Sequence, residues 1–128
     1  MSRWYLDSSA AAKLIDVEAE SVALATAIDE QGPELVSSLL LETELRRAVQ
    51  RRPSLTQEAL VPVLERVDLH DVRSSDFQVA GLLPGANLRS LDALHLAAAI
   101  RLGADAVLTY DTRMTQAARD LGLVVLAP

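Results

Sequence analysis

The chain has 128 residues, half of them apolar, with no cysteine and a formal net charge of −6. These values predict one globular domain with its own core, and they exclude a disordered chain and a disulfide scaffold. No apolar run approaches the roughly 18 residues of a membrane-spanning helix, and the N-terminus lacks a secretion-signal pattern. We therefore expect a soluble cytoplasmic protein. Lys13 is the only lysine and glycine-rich loops are missing, which excludes phosphate-loop chemistry.

The first element is a short apolar run, Trp4 to Leu6, which stops at Asp7 and is followed by Ser8 and Ser9. This pattern predicts a buried parallel strand and then a helix capped by one of the serines, with Asp7 left at the strand's carboxyl end. The later elements are predicted, in chain order, as a helix at 18–30, a strand at 35–38, a helix at 40–52, a helix from 54 or 56 to 66, a strand at 67–72, a helix from 74 or 75 to 83, a helix at 91–102, a strand at 106–109, a helix at 112–121 and a strand at 123–126.

Strands and helices alternate along the chain, and this alternation is typical of a parallel sheet. We expect an α/β fold with a sheet of about five strands, covered by helices on both faces. Serine or threonine caps are predicted at four further helix starts, namely Ser54 or Thr56, Ser74 or Ser75, Ser90 and Thr112. Glycine is predicted to stop the last two helices at Gly103 and Gly122.

Four acidic residues are predicted to meet at one edge of this sheet. Asp7 and Asp111 each follow an apolar strand, and the carboxyl ends of parallel strands share an edge where ligands bind. Glu44 lies two turns into the helix after the second strand, and Asp92 lies in the first turn of another helix. Glu42 points away from Glu44 on the same helix, and Glu44 borders the apolar stripe, so Glu44 is the stronger candidate.

Carboxylate oxygens are preferred ligands of Mg²⁺ and Mn²⁺, which support in-line displacement at phosphorus. Each acid also has a simpler interpretation. Asp7 and Asp111 could be helix caps, Asp92 could be favoured by the helix dipole, and Glu44 could be a solvated surface acid. Spacing alone leaves these alternatives open. The negative charge does not exclude an anionic substrate, because metal ions can carry the electrostatics.

Four segments in this order, YLDSSA, SSLLLETELRRA, SLDALHLAAA and LTYDTRMTQAARDLGL, resemble PIN-domain ribonucleases, and among them VapC-type toxins of prokaryotic toxin–antitoxin pairs. The likeness covers residues 1–128 and implies a single PIN-like domain that cleaves RNA endonucleolytically with Mg²⁺ or Mn²⁺. It implies that the catalytic and metal-binding acids are Asp7, Glu44, Asp92 and Asp111, with Asp111 the most suited to act through water. It also implies a cognate VapB-like antitoxin that blocks the site, and a homodimer.

Other polar residues near these acids have two interpretations each. Thr109 could orient the last acid or a metal-bound water, or it could simply favour a strand. His95 could serve as a ligand or in proton transfer, although such a histidine is more often packed and hydrogen-bonded. Arg46, Arg89 and Arg113 could contact RNA phosphates, or they could be solvated charges.

The resulting hypothesis is a metal-dependent endoribonuclease toxin that hydrolyses RNA phosphodiesters. One alternative is a catalytically inactive PIN-like module that only binds a partner or RNA. Another is a receiver-like module phosphorylated at Asp7, which needs an acidic pair near the start and a later lysine. The chain has one early acid and no lysine after Lys13, which argues against a receiver.

Overall fold

Five parallel strands form one sheet in the computed structural model, which describes residues 1–128. Their spatial order is β3-β2-β1-β4-β5, and every neighbouring pair is parallel. The strands are β1 (Arg3–Leu6), β2 (Glu34–Ser38), β3 (Asp68–His70), β4 (Ala106–Leu108) and β5 (Val125–Leu126). The predicted five-stranded parallel sheet is therefore confirmed, with strand ends shifted by at most two residues.

Seven α-helices connect or follow these strands. They are α1 (Ser8–Ala12), α2 (Ser21–Gln31), α3 (Leu40–Gln50), α4 (Val61–Arg66), α5 (Ser74–Leu82), α6 (Ser90–Arg101) and α7 (Thr112–Asp120). The helix predicted from 54 or 56 to 66 is instead split into a 3-10 turn, Gln57–Leu60, and α4. Pro62 lies in the first turn of α4 and lacks an N–H, so it favours a new helix start there over a continuous helix.

The sheet separates two hydrophobic layers, because successive side chains of a strand point to opposite faces. On β1, Trp4 and Leu6 pack into the layer formed with α1 to α4, whereas Tyr5 packs against α6 and α7 on the other face. On β2, Leu35 and Val36 divide in the same way. The predicted helical cover on both faces is confirmed. None of the helices combines the length and apolarity needed to cross a bilayer.

Aspartates cap α1 and α7, so the predicted caps at the neighbouring hydroxyl residues are wrong. Asp7 Oδ1 accepts a hydrogen bond from Ala10 N at 3.0 Å, and Asp111 Oδ1 accepts one from Met114 N at 3.0 Å. Ser8 and Thr112 are instead the first helical residues. A carboxylate accepts such a bond with its full negative charge at the positive end of the helix, which favours the aspartate. The helices consequently begin directly at the sheet edge.

Helices α5 and α6 begin alike, each one residue earlier than a cap at Ser74 or Ser90 would place the start, so the predicted serine caps are wrong. Arg73 and Arg89 occupy the cap positions, and neither Ser74 nor Ser90 caps its helix. The predicted stops after α6 and α7 are confirmed, since Gly103 and Gly122 have φ of 65° and 80°, which side-chain-bearing residues rarely adopt.

Candidate active site at the carboxyl edge of the sheet

Strands β1 and β4 bring the first and last sequence motifs together. Leu6 is in register with Leu108, so Asp7 and Thr109 leave the sheet side by side. Asp7 N donates to Leu108 O at 3.3 Å, which extends the pairing to the acid itself. The Asp7 side chain is almost completely buried. Its carboxylate is therefore fixed at the floor of the edge, as the strand pattern predicted.

Thr109 joins the two strand-end aspartates. Its hydroxyl donates to Asp7 Oδ2 at 2.5 Å and accepts from Asp111 N at 3.1 Å. Ser9 makes a parallel connection, because its hydroxyl donates to Asp7 Oδ1 at 2.7 Å and accepts from Tyr110 N at 2.9 Å. The two hydroxyls hold the Asp7 carboxylate in one orientation, so Thr109 contacts the first acid as well as the last.

Glu44 extends from α3 to the same edge. Ser8 donates to Glu44 Oε2 at 3.1 Å, and His95 Nε2 is hydrogen-bonded to Glu44 Oε1. Glu42 instead points to solvent and pairs with Arg46, one turn away, at 3.7 Å. The helix geometry thus separates the two glutamates in the way that the sequence pattern favoured.

Asp92 lies half-buried in the first turn of α6, within the electrostatic field of the other three acids. Its pKa is raised, first by burial and then by the negative charges of Asp111, Asp7 and Glu44. The four carboxylates are therefore close enough to act on one another electrostatically. Their ion-pair partners include no arginine or lysine, and the one partner is the histidine on Glu44.

Burial also raises the pKa of Asp7, although the hydrogen bonds from Thr109 and Ser9 oppose the change. Negative charge at this edge is therefore costly in the protein alone, and a bound cation would reduce that cost. On the inner side of the site, burial raises the pKa of Tyr5 to about 12, so its hydroxyl stays neutral at physiological pH.

The donor set fits a hard divalent cation with few protein ligands. The site offers carboxylate oxygens and no sulfur, which suits Mg²⁺ or Mn²⁺. No group of three acidic or histidine side chains is spaced so that it could hold a metal ion by itself. Mg²⁺ commonly takes one or two carboxylates and completes its shell with water and substrate phosphate. An open cluster of this kind is compatible with that mode of binding.

The three candidate arginines differ in their surroundings. Arg46 contacts Glu42 and also donates to Gln57 Oε1 at 3.3 Å, so its guanidinium is partly engaged. Arg89 is exposed at the start of α6 and forms no ion pair. Arg113 lines a groove of about 310 Å³ whose other polar walls include Asn87 and Gln116. This groove adjoins the start of α7, directly after the last acid.

The contact between Tyr5 and the site was not predicted from the sequence. Tyr5 Oη lies 2.7 Å from His95 Nδ1, and both side chains are buried. A tyrosine in a buried strand and a histidine on an apolar helix face each need a polar partner. This requirement for a polar partner could have suggested the contact, since both residues face the same side of the sheet.

The sequence comparisons define the class of protein. The family model for the PIN domain matches residues 4–120. The chain is 41% identical to Ribonuclease VapC35 of Mycobacterium tuberculosis over 97% of this chain and 96% of that protein. It is 42% identical to Ribonuclease VapC46 of the same species over 100% of this chain and 99% of that protein. The chain belongs to the PIN-domain family, and within it to the VapC ribonucleases.

Solved structures with similar folds are also found. VapC20 of Mycobacterium tuberculosis, a sarcin-ricin loop cleaving toxin, aligns with a TM-score of 0.74 at 18% identity, covering 98% of this chain and 99% of that one. A chain of VapBC2 from Rickettsia felis, bound to a promoter DNA fragment, aligns with a TM-score of 0.74 at 15% identity, covering 97% of each. At these identities the likeness supports the fold alone.

Proposed function

We propose that this chain is a metal-dependent endoribonuclease and the toxin of a toxin–antitoxin pair. The observation that carries the proposal is the group of four carboxylates, from Asp7, Glu44, Asp92 and Asp111, that share one sheet edge without an arginine or lysine partner. Membership among the VapC ribonucleases supports RNA as the substrate class. Perturbed acids of this kind, gathered from separate elements, are more typical of a functional site than of a surface.

A divalent cation such as Mg²⁺ or Mn²⁺, when bound, lowers the pKa of a coordinated water and offsets the negative charge of the phosphate. Asp7 and Asp92 are the residues that we assign to hold it, since both carboxylates are destabilised by burial. Asp111 uses Oδ1 in its cap, which leaves Oδ2 to act through water. Glu44 is the fourth acid of the cluster, and its carboxylate is hydrogen-bonded to Ser8 and His95.

In the proposed hydrolysis, a water oxygen bonds to phosphorus and the bond from phosphorus to O3′ breaks. A carboxylate of the acidic cluster accepts the proton that the attacking water loses, and the departing O3′ takes a proton from solvent water to become the 3′-hydroxyl. The products are a 5′-phosphate and a 3′-hydroxyl. RNA cleavage that uses the 2′-hydroxyl as nucleophile gives a 2′,3′-cyclic phosphate instead, so the product ends distinguish the two reactions.

The RNA strand is proposed to pass the groove beside α7. Arg113 can contact a phosphate there, and the amide of Asn87 can hydrogen-bond base edges, whereas the Gln116 amide already donates to Asp120, which also lines the groove. Arg89 is a second candidate for phosphate contact because it is exposed and unpaired. We assign Arg46 the weakest substrate role, since its guanidinium is already engaged.

The proposed partner is a cognate VapB-like antitoxin that blocks the acidic site, and the proposed assembly of the toxin is a homodimer in the cytoplasm. Complexes named VapBC from Rickettsia felis and nontypeable Haemophilus influenzae contain structural neighbours of this chain. Adding the antitoxin should abolish RNA cleavage, and a fully active toxin–antitoxin complex would refute the blocking role. Sedimentation of the isolated toxin should give twice the monomer mass, and a monomer would contradict the dimer.

The experiment that tests the proposed function is cleavage of total RNA by the purified protein with Mg²⁺, Mn²⁺ or EDTA. We expect cleavage with either metal, none with EDTA, and none with Asp7→Asn. Asp71→Asn is the matched control, because Asp71 is exposed and is not among the charges that raise the pKa of Asp92. If neither wild type nor Asp7→Asn cleaves RNA, an inactive binding module is favoured. Product ends that carry a 2′,3′-cyclic phosphate would rule out the proposed reaction.

A further inference from the structure

A continuous set of hydrogen bonds runs beneath the acidic site. Ser38 Oγ lies 3.1 Å from Tyr5 Oη, which lies 2.7 Å from His95 Nδ1. His95 Nε2 is bonded to Glu44 Oε1, and Glu44 Oε2 accepts from Ser8 at 3.1 Å. Five elements, β2, β1, α6, α3 and α1, are therefore connected by side chains alone.

The inner members of this set are completely enclosed. Tyr5 and Ser38 are 0% exposed and His95 is 1% exposed, whereas the Glu44 side chain is 21% exposed. Burying polar groups costs free energy unless each one finds a partner. The path thus leads from the protein interior to two partly exposed residues of the site, Glu44 and Ser8.

The donors and acceptors fix the orientation of the histidine ring. An ionised carboxylate can only accept, so Nε2 carries the hydrogen that is donated to Glu44. In the neutral ring, Nδ1 is then an acceptor that faces the Tyr5 hydroxyl, which is also hydrogen-bonded to Ser38 Oγ. The Tyr5 and His95 rings also meet edge to face, with centroids 5.6 Å apart and planes at 72°. Both ring nitrogens are engaged within the protein, which leaves neither of them for a metal ion.

Two residues of this path lie close in sequence to the acids of the site. Tyr5 precedes Asp7 by two residues on β1, and His95 follows Asp92 by one turn of α6. Glu44 lies on α3, which is far from α6 along the chain. A hydrogen bond from His95 to Glu44 therefore couples the α3 acid to the two elements that carry Asp7 and Asp92.

We propose that His95 is a positioning residue that holds the Glu44 carboxylate toward the other acids, and that Tyr5 holds His95. The inference rests on the proposed function, because it gives Glu44 a part in the cation site. Without His95, Glu44 keeps a single hydrogen bond, from Ser8, and its flexible side chain can rotate into solvent. Groups that orient metal-site ligands in this way typically change metal affinity about 10- to 100-fold when they are removed.

The test compares Mn²⁺ binding by four variants with wild type, using the electron paramagnetic resonance signal of free Mn²⁺. His95→Leu removes the donor but keeps an apolar side chain, and His95→Gln restores an N–H at a similar reach. Tyr5→Phe removes one hydroxyl. His70→Leu is the matched control, because His70 is the other histidine and lies on β3, contacting Asp68. Thermal melts of the metal-free variants show whether each one folds.

We expect His95→Leu to bind Mn²⁺ about tenfold more weakly, with His95→Gln recovering most of the affinity. Tyr5→Phe should weaken binding by a smaller factor, and His70→Leu should match wild type. Equal Mn²⁺ affinity of His95→Leu and wild type, both folded, would overturn this inference and leave the proposed function standing. Failure of His95→Gln to recover any affinity would also overturn it. A wild-type protein that binds no Mn²⁺ would overturn the proposed function and the inference together.

Discussion

Asp76 and Asp92 occupy the same position in two consecutive helices, yet their surroundings are opposite. Each is the third helical residue after an arginine, in the segments RSSD and RSLD. Asp76 accepts from Arg101 Nε at 2.8 Å and from Arg101 Nη2 at 3.0 Å, and these bonds lower its pKa. Asp92 forms no ion pair with an arginine or lysine, and its pKa is raised.

The two aspartates therefore have different roles, one in the fold and one in the acidic cluster. The Asp76 charge is satisfied within the protein: it caps α5 by accepting from Arg73 N at 2.9 Å and fixes Arg101 on α6. The Asp92 charge is left unsatisfied beside three further carboxylates. A paired buried acid serves the fold, whereas an unpaired acid in a cluster needs a partner that the chain does not supply. The following predictions test that contrast.

The largest effect is expected for Asp92→Asn. This substitution keeps the shape of the side chain and removes one charge from the cluster, so RNA cleavage should fall at least about 100-fold. The circular dichroism spectrum and melting temperature of the variant should show an intact fold. Cleavage within a few fold of wild type would contradict the assignment of Asp92 to the site.

A loss of stability is expected for Asp76→Ala, because it leaves the Arg101 guanidinium without its carboxylate. Removing one member of a buried ion pair typically costs about 3 kcal/mol of unfolding free energy. Urea unfolding measures this change, with Asp71→Ala as an exposed control. Below its melting temperature, Asp76→Ala should still cleave RNA at a rate close to wild type, and a loss of activity without a loss of stability would reverse the contrast.

The two aspartates should also give opposite dependences of stability on pH in the metal-free protein. The lowered pKa of Asp76 adds stability above the ordinary aspartate pKa, and that stability is lost as the pH falls through its folded value. The raised pKa of Asp92 costs stability above its folded value, and the cost disappears below the ordinary aspartate pKa.

Urea unfolding in EDTA between pH 3 and 7, on wild type, Asp76→Asn and Asp92→Asn, measures this prediction. At neutral pH, Asp92→Asn should be more stable than wild type and Asp76→Asn less stable. Both differences should shrink toward low pH. Two variants with the same sign at neutral pH would show that the surroundings of the two acids do not differ as described.

The smallest effects are expected from the arginines. Arg113→Ala should raise the KM for RNA about threefold with little change in kcat, since one phosphate contact contributes a modest share of binding. Arg46→Ala should change KM less, because Glu42 and Gln57 already engage its guanidinium. Steady-state cleavage of a short RNA at constant salt gives both values. A larger effect at Arg46 than at Arg113 would indicate a different path for the RNA.

Much of the fold was predictable because strong local patterns decide it. The apolar runs before Asp7 and Asp111 each fix a strand and its carboxyl end, and parallel topology then brings the two acids together. The helix starts were less predictable. Asp7 and Asp111 cap their helices in preference to the adjacent Ser8 and Thr112, since two neighbouring residues with similar capping ability leave the first position ambiguous.

The supports of the site were not predictable from local patterns. Tyr5 and His95 are 90 residues apart, and their contact depends on how α6 packs against β1. The ion pair between Asp76 and Arg101 depends in the same way on the packing of α5 against α6. Asp76 and Asp92 look alike in sequence, and tertiary contacts alone decide which of them is neutralised.

The most direct test of this account is calorimetric titration of Mn²⁺ into wild type, Asp92→Asn and Asp76→Asn, at a temperature where all three are folded. We predict that wild type and Asp76→Asn bind Mn²⁺ with similar affinity and that Asp92→Asn binds at least about tenfold more weakly. Equal binding by all three proteins, or none by wild type, would contradict the claim that the unpaired acids form the cation site.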